Sequence, residues 1–149
     1  MADNATLGAP GLLFPFVLHS IEGGILQDSK DMEGGFALWG KKGEPGKVWA
    51  ARPQVADGAS GTKDDPDSFL AGLCQRTTVS GGYDEGDAVN VVKKGRIWVK
   101  VKGAVTSGAD AYVGADGLPT ASSTSTTAIS GGKFKSNATD GQLAELEIG

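Results

Sequence analysis

Glycine punctuates this chain at a spacing that leaves little room for anything but short strands. Gly95, Gly103, Gly108, Gly117, Gly132 and Gly141, together with the Gly81-Gly82 pair, recur every ~5–15 residues through the second half. The chain holds 24 glycines in 149 residues, about twice the usual share. No G-X-Y period accompanies them, so a collagen-like helix is excluded. No window of 12 or more residues has helical periodicity. The apolar runs between the glycines alternate instead. In Arg96–Lys102 the side chains of Ile97, Val99 and Val101 fall on one face and those of Arg96, Trp98, Lys100 and Lys102 on the other. Such a pattern describes a strand with one buried and one wet face, and an all-β sandwich or barrel is the architecture expected.

Taken in order, the first ten residues are small, polar and aperiodic and read as a flexible arm. Leu12–Leu18 is apolar but interrupted by Pro15, which withholds a ladder hydrogen bond. It is expected as an extended arm or edge strand, closing the domain's own core or lying on a neighbour. The domain division is therefore an arm over 1–20 and a β body over 21–149. Trp39 and Trp49 flank Gly40–Gly46, a loop or long hairpin connection. Gly58–Asp67 reads as a polar loop. Ser68–Cys74 reads as a mostly buried strand in which Phe69, Ala71 and Leu73 share a face, with Cys74 a small core thiol. Lys93-Lys94-Gly95 reads as the turn of a hairpin joining Val89–Val91 to Arg96–Lys102. Asp116-Gly117 marks a tight turn. The Ser/Thr run TASSTSTTA is an exposed loop, and Gln142–Ile148 is a closing strand.

Composition removes several function classes. The net charge of −4 and pI near 4.9 argue against binding nucleic acid through phosphate neutralisation. A single cysteine excludes an intrachain disulfide and any multi-cysteine metal site. The N-terminus lacks the basic region of a secretory signal, and Gly11–Leu18 is too short to span a bilayer. No membrane association is expected, and the chain reads as one made in a reducing cytosol. His19 is the only histidine, so a nucleophile–histidine site has one possible centre, inside the apolar arm. Gly43–Lys47 lacks the spacing and the Ser/Thr of a phosphate loop. Asp64-Asp65-Asp67 and Asp84-Glu85-Asp87 are acidic turns without metal-binding spacing. No catalytic residue, metal, cofactor or small-molecule substrate is expected, which leaves a structural or binding role.

The ordered pieces Phe69–Arg76, Tyr83–Val91, Lys94–Val101, Gly108–Val113, Asp116-Gly117, Ile129–Phe134 and Gly141–Ile148 resemble the capsid cement (decoration) proteins of tailed phages. The resemblance covers roughly the C-terminal half and is weaker before Phe69. It implies a small jelly-roll-like β-sandwich on the outer surface of the virion capsid, synthesised in the bacterial cytoplasm. Its implied partners are the major capsid protein, whose neighbouring subunits it ties together, and further copies of itself. It implies no enzyme activity and no cofactor. Candidate contact residues come from the sequence itself: Leu12, Phe14 and Phe16 of the arm, Trp39 and Trp49 beside the loop, and Arg96, Trp98 and Lys100 on the wet face. Another virion part at the head–tail joint or tail, or a carbohydrate-binding β-sandwich stacking sugars on its tryptophans, fits the same composition.

Overall fold

A computed structural model describes residues 10, 11, 13, 19–28, 34–76 and 83–149. Leu12, Phe14, Phe16, most of the 1–20 arm and the Gly81-Gly82 pair lie outside them. Eleven strands follow one another without a helix among the described residues: β1 (Ser20–Leu26), β2 (Ala37–Lys41), β3 (Lys47–Val48), β4 (Gln54–Ala56), β5 (Thr62–Asp64), β6 (Ser68–Cys74), β7 (Ala88–Lys100), β8 (Asp110–Val113), β9 (Pro119–Thr120), β10 (Thr127–Phe134) and β11 (Leu143–Ile148). Nine of them form one sheet in the order β2-β6-β7-β11-β10-β8-β9, with β1 on β7 and β3 on β1. The sheet folds over into a sandwich. Its back half holds β3, β1, the start of β7, β6 and β2, and its front half holds the end of β7, β11, β10, β8 and β9. The Ala37 N–H donates to the Gly117 carbonyl at 2.9 Å, so the two ends of the strand order nearly meet.

The hinge of this arrangement is β7. A hairpin was expected at Lys93-Lys94-Gly95, but a single 13-residue strand runs straight through. Its first part pairs with β1 and β6, and its second part with β11. The turn signal is a bulge: Ile21 pairs with Val92 while Ser20 pairs with Lys94, leaving one extra residue on β7. That residue flips the alternation. Before it, Val89 and Val91 enter the back cluster; after it, Ile97 and Val99 enter the central core. Gly95 has φ +130°, and an added Cβ would run into the His19 ring. A glycine is needed there for close approach as well as for backbone angle. The Gly131-Gly132 signal behaves likewise: β10 continues through it, its register with β8 slipping between Ala128 and Lys133.

The central core lies between the halves. Ile97, Val99, Leu146, Ile148 and Phe134 descend from the front, and Ala37, Trp39, Leu73 and Val92 rise from the back. Each fully buried side chain of this size contributes ~1.5–3 kcal/mol of transfer free energy. A second cluster of Leu26, Leu38, Val48, Cys74, Tyr83 and Val91 covers the outside of the back half. The back half is thus buried on both faces along β2, where every residue but Lys41 is inaccessible. Trp39 and Trp49 exchange two 2.8 Å backbone hydrogen bonds, the hairpin expected around Gly40–Gly46. Tyr112 and Thr120 face each other across the Asp116-Gly117 turn. The expected 58–67 loop instead contains β5, which pairs with β4 as a separate exposed ribbon.

Candidate interaction surfaces

The front outer face follows from the period-two run. Beyond the bulge, Arg96, Trp98 and Lys100 all point outward, opposite Glu147, Glu145 and Leu143 of β11. Arg96 reaches Glu147 at 3.5 Å, and Lys135 reaches the same carboxylate at 3.3 Å. Lys133 pairs with Asp110 one strand further on. Lys135, and after it Arg96, hold the Glu147 carboxyl below the usual carboxylate range. Trp98 is half-buried among these groups, and its carbonyl accepts the Gly11 N–H at 2.6 Å. Leu13 bridges antiparallel to Ile97, so the described residues of the arm lie along this edge of β7.

Of the residues singled out in the sequence that are described, only Arg96, Trp98 and Lys100 are brought together on one outer face. Trp39 is 2% exposed, and its ring belongs to the central core. Trp49 is half-buried against that core. Arg52, which carries no sequence signal, ties the Trp39 region to its surroundings. Its guanidinium lies 4.8 Å over the Trp39 ring and donates to Ser68 Oγ at 2.9 Å and Thr127 Oγ1 at 3.2 Å. It also meets Asp64 at 3.1 Å, which clasps the base of the β4–β5 ribbon to the sandwich. A cleft of about 580 Å³ opens beside it, lined in part by Trp39, Gln54, Asp64 and Thr127.

The back outer face carries a feature that alternation concealed. Between Leu38 and Trp39 the β2–β6 register shifts, so Leu70 and Leu73 both enter the central core while Ala71 turns to the back cluster. Phe69, expected to be buried with Ala71 and Leu73, is instead 47% exposed. Its ring packs over Gly40, where an added Cβ would run into it. A cleft of about 320 Å³ borders the ring, floored by Val48, Ala71 and Val91. Its rim holds Lys41, Lys42, Lys47 and Lys93 with Glu22 and Glu44. Lys41 meets the buried Asp65 carboxylate at 3.0 Å. That carboxyl is held below its ordinary value by the Asp67 N–H and by Lys41, and the Lys41 ammonium is raised in turn.

Catalytic chemistry has no assembled site among the described residues. Burial pushes the Cys74 thiol up to about 12, so it stays protonated and inert. His19 packs on Gly95 with Nε2 3.3 Å from the Arg96 carbonyl, a structural position. No group of three or more His, Cys, Asp or Glu side chains is placed to hold a metal among the described residues.

Comparison with known proteins adds two findings. A family model described as "Structural cement protein (E217 gp24/Pam3 gp6)" matches residues 2–149. Among solved structures, a chain from "The capsid of Myoviridae Phage XM1" superposes with a TM-score of 0.65 at 16% identity, covering 93% of this chain and 88% of that one. At that identity the likeness concerns the fold. No curated protein matches the sequence.

Proposed function

The chain belongs to the structural cement protein family of phages, and from that membership we propose that it clamps neighbouring subunits of the major capsid protein from the outer surface of the head. A structural cement role is the family's property, and the reading of the chain as a protein without enzyme activity follows from it. The finer reading, which concerns the face of the shell, the partner and the action, rests on the match extending over almost the whole chain. Physical reasoning supports it. A protein that binds only the assembled shell stabilises that shell by mass action, and many copies on a symmetric lattice add avidity. Residues 21–149 serve as the rigid body and residues 1–20 as an arm, with Leu12, Phe14 and Phe16 as apolar contacts of the arm. Arg96, Trp98 and Lys100 form a second contact on the front face, where Trp and Arg are the side chains that most often anchor an interface. Synthesis in the host cytoplasm and association between copies complete the reading.

The test is co-sedimentation of the purified chain with undecorated heads of its own phage, counted as copies per head. Saturation in the hundreds with a rise in the heads' thermal stability is expected. About a dozen copies would place the chain in a ring at one vertex, and no binding would overturn the reading. Deleting residues 1–18 is expected to lower the copy number while far-UV dichroism of the body persists. Trp98→Ala is expected to weaken binding by ~2 kcal/mol or more.

A further inference from the structure

Three large apolar side chains are exposed among the described residues: Phe69 at 47%, Ile25 at 44% and Ile21 at 41%. They sit on opposite sides of the back half. Phe69 shares its side with Glu22, Val91 and Lys93 around the cleft. Ile21 pairs with Val92, whose side chain enters the central core, so Ile21 and Ile25 point to the inner side, beyond the reach of the front half. Ile25 also pairs with Ala88, which is exposed.

The Phe69 cleft carries four lysines and two glutamates on its rim, in a chain of net charge −4. Glu44 meets Lys47 at 3.4 Å and Glu22 meets Lys93 at 3.4 Å, both solvent-exposed pairs of small worth. Lys42 has no ion pair among the described residues. Beside Ile25 stands the turn Asp84-Glu85-Gly86-Asp87, tied to β1 by the bonds from the Gly86 N–H to the Leu26 carbonyl and from the Leu26 N–H to the Asp87 carbonyl. Its three carboxylates are exposed and have no ion pair among the described residues. The apolar floor with a basic rim therefore has its complement, apolar knobs flanked by acids, on the same chain. Because Ile21 and Ile25 lie across β1 and β7 from the cleft, one copy cannot satisfy itself.

We propose that copies of this chain dock head to tail, the Ile21/Ile25 face and Asp84–Asp87 turn of one copy seating on the Phe69 cleft and lysine rim of the next. Such a contact is heterologous, so it closes into a ring or continues along a lattice. Its charged component weakens as salt rises. It is a statement about two copies of the free chain and does not depend on the shell-binding reading.

The test is sedimentation velocity of the full chain from about 10 µM to about 1 mM at low and high salt. Concentration-dependent association that salt weakens is expected. Phe69→Ser, and separately Lys42→Glu/Lys47→Glu, are expected to weaken it at least about tenfold. Each variant is checked by near-UV dichroism for a native fold. Mixing Lys42→Glu/Lys47→Glu with Asp84→Lys/Glu85→Lys is expected to restore association, because each acidic cleft then meets a basic turn. A chain that stays monomeric at about 1 mM, an association that neither variant changes, or a charge swap without recovery overturns the proposal. Head decoration that is lost in Phe69→Ser while the free chain remains monomeric also overturns it, and assigns the cleft to a shell subunit instead.

Discussion

The front and back outer faces are made from the two ends of the same strand, yet they handle charge and apolar surface in different ways. On the front, Arg96, Glu147, Lys135, Lys133 and Asp110 step across four registered strands as alternating signs, and most apolar side chains of those strands point inward while Trp98 and Leu143 face out. On the back, a second apolar cluster covers the sheet, and four lysines gather around one cleft, Lys41, Lys47 and Lys93 from strands and Lys42 from the β2–β3 loop. Regular register spaces unlike charges at strand distance and neutralises them in place. A loop has no such register, and the β2–β3 loop leaves Lys42 without an ion pair among the described residues, on the rim of the cleft that borders the Phe69 ring. The front face pairs its charges in register around Trp98, and the back face keeps an exposed ring beside an open cleft.

The largest expected effect falls on the device that separates the faces. Gly95→Val puts a Cβ into the His19 ring at a φ that branched residues avoid, and a loss of about 3 kcal/mol or more is expected in denaturant unfolding. A tolerated Gly95→Val would mean that the bulge does not set the two phases of β7. Next comes acid sensitivity. The lowered Asp65 carboxyl contributes stability that is present above its unfolded value of about 3.9 and is lost as pH falls through the lower folded value. Its partner Lys41, raised in the fold, contributes below about 10.4 and loses that contribution as pH rises through the higher folded value. Asp65→Asn is expected to flatten the acid limb of a melting-temperature profile. An unchanged limb would transfer the acid sensitivity to the front-face carboxylates.

A smaller change is expected on the front. Glu147→Gln removes an exposed acceptor shared by two cations, and the melting temperature is expected to stay within about 2 °C. A larger drop would show that the charge ladder acts as a cooperative network. The smallest stability effect belongs to Phe69→Ser: the ring is half in water over a glycine, so unfolding is expected to change by less than ~0.5 kcal/mol. A large loss would make Phe69 a lid for the second cluster and remove the contrast between the faces.

Much of the fold was readable because strand alternation is written residue by residue. Arg96–Lys102, Tyr112–Thr120 and Gln142–Ile148 took the expected forms. The misreadings share one cause. Glycine marks positive φ and close approach, and these occur in turns and in bulges alike, so Gly95 and Gly131-Gly132 looked like chain reversals although both strands continue. A bulge also inverts facing across it, so reading the alternation back from Leu73 through the β6 register shift hid Phe69 and placed Leu70 on the wrong side. The surfaces were less legible than the strands. Arg96, Trp98 and Lys100 are neighbours in sequence, whereas the Phe69 cleft draws its lining from β1, β2, β3, β6 and β7 and exists only once they are assembled.

The continuity of β7 has a mechanical consequence. In a sandwich whose halves touch only through side chains, a sideways pull on one half slides it over the other against weak contacts. Here the two halves share a backbone, and each end of that backbone is laced by antiparallel ladders to β1 and β6 at one end and to β11 at the other. Tension entering through the back half therefore reaches the front half along covalent bonds. It releases only when a whole row of hydrogen bonds shears together, the arrangement of a spliced rope and not of two glued plates.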